Sequence, residues 1–274
     1  MDNYFSQFND KCIEQAFLHH EMVPILEKII DNNMRIYSKL KDITLDYGEV
    51  PKRSDLHLLL EDVKIIVDTF FGVSKIKAPT VDYKRILERG LQFSDFSDFL
   101  MFFPSAYNIL RSKGHYYDIS EHISLKKEPR GSLIPVLAHE YTHHVQKHKF
   151  LFLPYLLEGQ ARSVQRHISG VYTERENNPT FLSHNLMHFD LPELKVAYLW
   201  LCQKHDIAPK IYLCQPQTKK EKQYLRIAEK FKEKNTKPNY HMMGNAFFSV
   251  LEFLEGKGIH RDIISEKYQL PSFF

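Results

Sequence analysis

An α+β domain with a helical N-terminal extension is the fold class predicted by three features of the sequence. The stretch HYYDISEHISLKK, residues 115–127, alternates apolar and polar side chains as one or two strands do. GSLIPVLAHEYTHHVQKH, residues 131–148, reads as the strongest helix in the middle of the chain, and helical spacing dominates everything after it. Strands in the first half and helices in the second place residues 1–55 in the extension and 56–274 in the domain.

The elements follow in chain order. Between 10 and 45, Ile13, Phe17, Leu18, Ile25, Leu26, Ile29 and Ile30 recur at helical spacing, with Pro24 as a kink or a boundary. SDLHLLLEDVKIIVDTFFG is amphipathic, with Ser54 or Asp55 as N-cap and Gly72 as the stop. From 76 to 125 the signal is mixed, and FSDFSDFLMFF fits helix and strand equally. Before the central helix stand Gly131 and Ser132, with Pro135 in its first turn, where a proline is tolerated. After FLFLP a second helix is expected from Tyr155 to Gly170. Further helices are expected near 192–205, 218–234 and 242–256. KKEKQYLRIAEKFKEK alternates in charge sign and reads as a solvated helix face.

Composition narrows the function classes. With 274 residues, 43% apolar and 26% charged, the chain suits a folded globular protein rather than a disordered one. A formal charge of +3 is too slight to predict nucleic acid as a partner. The most apolar run, FLFLPYLL, is short and broken by Pro154, so no membrane span is expected. The N-terminus has no basic and apolar leader pattern, and Cys12, Cys202 and Cys214 form no CxxC. A reducing, cytoplasmic location is the expectation, with a secreted chain that has lost its leader as the alternative.

Chemistry concentrates in PVLAHEYTHHVQKHKF, residues 135–150. His139 and His143 are four apart, so on a helix they share a face and can reach one metal ion. Glu140 is rotated by about a third of a turn, where it can act on a water as general base. This is the HExxH arrangement of zinc enzymes. From 15 histidines and 19 glutamates in 274 residues, roughly 0.06 such matches arise by chance. A second pair at the same spacing, His184 and His188, lacks the glutamate and reads as ordinary histidines. His144 and His148 read as passengers beside the motif.

A catalytic zinc requires three protein ligands and an open position. Glu158, in YLLEGQARSVQ, closes an apolar run where an unpaired carboxylate is unfavourable. A helix returning over the histidine face would make it the third ligand, and the small Gly159 and Ala161 would let the two helices approach. The alternative is a salt bridge from Glu158 to Arg162, four residues on.

With those residues in place, the chain resembles the gluzincins, zinc metallopeptidases with two histidines and a glutamate, and more narrowly peptidase MA-like proteins. LAHEYTHHVQ followed by LLEGQAR carries the likeness, with Glu158, Gly159 and Ala161 matching a Glu-Gly-x-Ala pattern. NYHMMGNAFFSVLEFLEGKG, residues 239–258, matches more loosely a Tyr, then a Gly three residues on, then an apolar helix. The residue three before Gly244 is here His241, with Tyr240 beside it. The resemblance implies that one of the two holds the oxyanion. Arg162 stands where the family places an acidic residue.

The resemblance implies a zincin-like domain with Zn2+ on His139, His143 and Glu158, and hydrolysis of a peptide or protein substrate with Glu140 as base. It also implies an exposed edge strand beside the cleft, for which EHISLKK (121–127) is the candidate, a plain core strand being the alternative. The Gly-x-Met-Glu-Asn stretch of many aminopeptidases is absent, which favours an endopeptidase. The competing readings are a zincin-like binding or sensing protein with little or no activity, and a helical interaction protein whose HExxH is accidental.

Overall fold

A computed structural model describes residues 19–83, 113–117, 120–148, 154–234, 237–265 and 267. It is a mixed α+β protein, mostly helical, with one small sheet. Helix α1, Met22–Leu40, buries Met22, Val23, Leu26, Ile30 and Asn33, one stripe at helical spacing. Pro24 sits in its first turn, where no intrahelical N–H is lost. The expected positions 10–18 and the FSDFSDFLMFF stretch lie outside the described residues.

A 3₁₀ turn, Arg53–Asp55, leads into α2, Leu56–Phe71. Asp55 makes no side-chain capping bond, and Ser54 Oγ instead donates to Asp55 Oδ1 at 2.9 Å, so the expected N-cap is not formed. Gly72 does end the helix, with φ 64° and its N–H turned back to Asp68 and Thr69.

Strands β1 (Thr80–Tyr83), β2 (Gly114–Tyr117) and β3 (His122–Leu125) form a sheet in the order β1-β3-β2. β1 runs parallel to β3 and β2 antiparallel to it. The strand in EHISLKK is therefore central, and the expectation of an edge strand there is corrected. Ile123, Ser124 and Leu125 are all buried, as in a strand covered on both sides. Among the described residues β1 and β2 are the edges, and β2 is the one laid against the next helix, as Gly114 shows below.

Helix α3, Arg130–His148, is buried on nearly every face, from Gly131 to Thr142 and again at His144, Val145 and Gln146. Such a helix shows no clean amphipathic stripe. It begins earlier than expected because Arg130 N–H and Gly131 N–H bond to Glu49 O (3.0 Å) and Tyr47 O (2.8 Å). Pro135 thus lies inside the helix and not in its first turn. Tyr141 Oη donates to Asp68 Oδ1 at 2.9 Å and fixes α3 against α2.

Helix α4, Pro154–Glu176, continues past Gly170, the expected end. α5 (Thr180–Asn185) passes through a π turn, Leu186–Asp190, into α6 (Leu191–Lys204). The short α7 (Ile211–Cys214) precedes α8 (Lys219–Lys234). α9 (Tyr240–Glu255) starts at Asn239, whose side chain accepts from Met242 N–H at 3.1 Å, and α10 (Ile259–Ile264) closes the described chain. One hydrophobic core joins Leu26 and Ile30 of α1 to Val63 of α2, Leu137 of α3, Val164 of α4, Leu194 of α6 and Phe247 of α9. Among the described residues no helix is long and apolar enough to cross a membrane.

Candidate metal centre

A helix buried all round must satisfy each of its polar side chains, and most of those on α3 are accounted for. Thr142 Oγ1 donates to Ala138 O at 2.8 Å. His144 is held at both ring nitrogens, by Tyr116 Oη and by Lys77 O, each at 2.8 Å. It is a packing histidine, as the sequence suggested, and not free to ligate. His139 and His143 turn their Nε2 atoms to the face that meets α4.

Glu158 of α4 crosses that face. Its Oε2 lies 3.3 Å from His139 Nε2 and its Oε1 lies 3.8 Å from His143 Nε2. The three donor atoms all fall within 4.8 Å of one another. A tetrahedral zinc with bonds of about 2.0–2.2 Å spaces its ligand atoms by roughly 3.3–3.6 Å, so the triad fits such an ion with small adjustments. His139 Nδ1 is buried with no hydrogen-bond partner among the described residues, and the ring nitrogens close to Glu158 Oε2 make no well-aligned hydrogen bond to it, an arrangement that a cation would complete.

The protonation states suit a cation. Burial pushes His139 down to about 3, so its imidazole is neutral and offers a lone pair. Burial alone would raise Glu158, but His143, His139 and His241 outweigh it and hold the carboxyl well below the usual range. His143 is oriented by Gln146, whose Oε1 lies 2.9 Å from His143 Nδ1. Gln146 Nε2 in turn donates to Leu157 O (3.0 Å) and Gln160 Oε1 (3.1 Å). With Nδ1 donating to that carbonyl, Nε2 is the bare nitrogen that faces Glu158. The sequence reading missed Gln146, although an amide one turn beyond the second histidine of a buried helix was its signal.

Helix α9 brings His241 to the same carboxylate, with Nδ1 2.8 Å from Glu158 Oε2. The approach depends on two glycines. A Cβ on Gly159 would stand 2.6 Å from Gly244 O, and one on Gly244 2.6 Å from Tyr155 O and 2.8 Å from Gly159 N. Gly159 thus lets α4 approach α9, not α3 as expected. Of the two oxyanion candidates, His241 is at the triad, while Tyr240 is 47% exposed and sets its ring edge-on to Tyr155 at 4.8 Å.

Arg162 does not pair with Glu158. It grips Glu193 of α6 with Nε and Nη2, at 3.1 and 2.7 Å, and reaches Gln165 with Nη1 at 2.8 Å. The salt-bridge alternative for Glu158 is thereby set aside.

Glu140 is 8% exposed, and Gly114 of β2 passes directly over it. A Cβ at 114 would lie 2.7 Å from Glu140 Cγ, 2.8 Å from Glu140 Oε1 and 2.8 Å from Val136 Cγ1. Gly114 therefore sets where the Glu140 carboxylate can stand. Gly114→Ala is expected to leave metal content intact while the crowding against Glu140 and Val136 lowers the midpoint of thermal unfolding. Metal analysis and thermal unfolding of the same preparation check this. The other acid–histidine cluster, Glu121, His144 and His148, lies within similar distances. Its His144 is already bonded at both nitrogens, and Lys147 Nζ sits 3.2 Å from Glu121.

No protein-family model, no curated protein and no solved structure matches the chain.

Proposed function

We propose that the protein is a zinc-dependent peptidase, with the ion on His139, His143 and Glu158. The observation that carries this reading is the convergence of two helices on one set of donors with a second acid, Glu140, set beside it on α3 and not among the donors. A structural zinc site closes with four protein ligands and has no use for that extra carboxylate. Two imidazoles and one carboxylate suit zinc among the divalent cations, and three ligands leave room for substrate.

A zinc ion bound there supplies Lewis acidity, which makes water a nucleophile near neutral pH and polarises a carbonyl. The chain supplies the rest. Glu140 accepts the proton of the attacking water and passes it to the leaving nitrogen. His241, at the rim of the triad, donates to the oxyanion that develops on the substrate. Gln146 keeps the His143 imidazole in one tautomer throughout.

The test is cleavage of a mixed peptide library by the full-length protein, read by mass spectrometry. Cleavage that stops with a chelator and returns with zinc is the expected result. Metal binding without cleavage of any peptide would place the protein among zincin-like binding proteins instead.

A further inference from the structure

Next to the triad lies a group of positive and imidazole side chains that neither the metal nor Glu140 uses. The His184 and His188 rings lie with centroids 4.4 Å apart and planes tilted by 45°, and Phe189 meets His184 edge-on at 6.0 Å. His184 is 3% exposed, yet neither of its ring nitrogens has a hydrogen-bond partner among the described residues. Above the Phe189 ring stand Lys220 Nζ at 4.8 Å and Arg162 at 4.6 Å. Lys220 Nζ donates to the carbonyl of His188, and no carboxylate among the described residues pairs with it. Lys113 adds a further positive charge felt at both His184 and His188.

The carboxylates that could neutralise this group are committed elsewhere. Glu193 takes Arg162 with both oxygens and also accepts from Asn245 Nδ2 at 3.0 Å. Glu128 is shared by Lys113 and Lys126 at 3.8 Å each, distances too long for firm pairing. What remains is a part-buried ammonium whose one acidic neighbour, Glu193, is already bonded to Arg162 with both oxygens, beside two imidazoles that can donate. Such a group is unfavourable unless an anion completes it.

Its position relative to the chemistry is fixed by covalent neighbours. Lys113 adjoins Gly114, the residue that lies over Glu140, and its carbonyl accepts from Lys126 N–H at 2.7 Å, in line with β2. Arg162 is one helical turn beyond Glu158 on α4. One turn is about 5.4 Å, less than two residues of extended peptide.

We propose that Lys113, Lys220, His184 and His188 form a subsite for a carboxylate that the substrate carries one or two residues from the bond cleaved, a proposal that rests on the peptidase reading above. That carboxylate belongs either to an acidic side chain or to the C-terminus of the peptide. A C-terminal origin would make the enzyme a carboxypeptidase rather than an endopeptidase.

Two measurements test this, one of which does not depend on turnover. In the first, peptides cleaved by the wild type are remade with Glu in place of Gln on each side of the scissile bond, and with a free or an amidated C-terminus. The expected result is a preference in kcat/KM of about tenfold or more for one charged form, the effect of one charge-assisted hydrogen bond. Lys220→Met brings that ratio towards one and Lys220→Arg retains it. Discrimination by neighbouring residue identifies a side-chain carboxylate, and discrimination by terminus identifies the C-terminal one.

In the second, the imidazole NMR signals of His184 and His188 are followed as N-acetylglutamate, N-acetylalanine and the carboxylate-free N-acetylalanine amide are added to the wild type and to Lys220→Met. The two carboxylate probes shift those signals in the wild type and not in the variant, and the amide shifts them in neither. Cleavage without discrimination, together with unmoved imidazole signals, overturns the subsite and leaves the peptidase reading standing. Shifted signals with no cleavage of any peptide leave the subsite standing and overturn the peptidase reading.

Discussion

Glu140→Gln is expected to keep its zinc and lose turnover by about 10²–10⁴-fold, the usual contribution of a positioned general base. The substitution keeps the shape of the side chain beneath Gly114 and removes only its ability to take a proton. Because Glu140 is not one of the three donors that cluster on α3 and α4, metal content should not change. The paired measurement is zinc per chain and kcat on one substrate. A variant that cleaves as fast as the wild type would remove Glu140 from the mechanism. A variant that loses zinc would make it a ligand instead.

The second large effect is acid sensitivity of the metal-free protein. Burial holds His184 down at about 2, and His167 and His188 at about 4, with positive neighbours (Lys113, Lys220 and Lys257) adding to the shift. In each case the folded pKa lies below the unfolded value of about 6.5, so the unfolded chain binds more protons over the interval between them. Stability from these groups is complete above pH 6.5 and falls as the pH drops towards the folded values. The deeply buried His184 contributes up to about 1.4 kcal/mol of that loss per pH unit, and the half-buried His167 and His188 contribute less because solvent screens their charge.

Carboxylates act in a different window. Burial alone would raise Glu252, but Arg166 and His260 reverse that and hold it below its ordinary range. Its contribution is present above the unfolded carboxylate value and is lost only at lower pH. Between about pH 6.5 and 4.5 the histidines therefore set the slope. Urea unfolding of the chelated protein at intervals through that range should show a steadily falling midpoint. His184→Phe, which keeps a ring against Tyr47, His188 and Phe189, should make the slope shallower by close to one proton. An unchanged slope would contradict the account of His184.

The parts of this structure that were legible in the sequence are those whose cause is local. His139 and His143 follow from helix geometry alone, and Glu158 from a carboxylate stranded at the end of an apolar run. Gly72 ends α2 because a left-handed residue there needs no side chain. β1 was missed because TVDY is four residues long and pairs in parallel with a strand some forty residues away, leaving no hairpin signal. Its pairing is also what moves β3 from the edge to the centre. Pro135 sits inside α3 because carbonyls of Tyr47 and Glu49, far away in the chain, extend the helix backwards.

The same distinction holds within the site. The three candidate donors lie in two short segments that carry their own pattern. The residues that shape their surroundings do not: Gly114 is placed over Glu140 by sheet register, and Gly244 against Gly159 by helix packing. Lys113, His184 and Lys220 come from three separate parts of the chain, and no spacing in the sequence marks them as a group.

The most direct measurement is zinc content by elemental analysis of the purified wild type and of Glu158→Ala. The account predicts about one zinc per chain in the wild type, as a three-ligand site requires, and a sharp fall in the variant. A wild type that takes up no zinc at micromolar concentration, or a variant that holds it as tightly as the wild type, would contradict it.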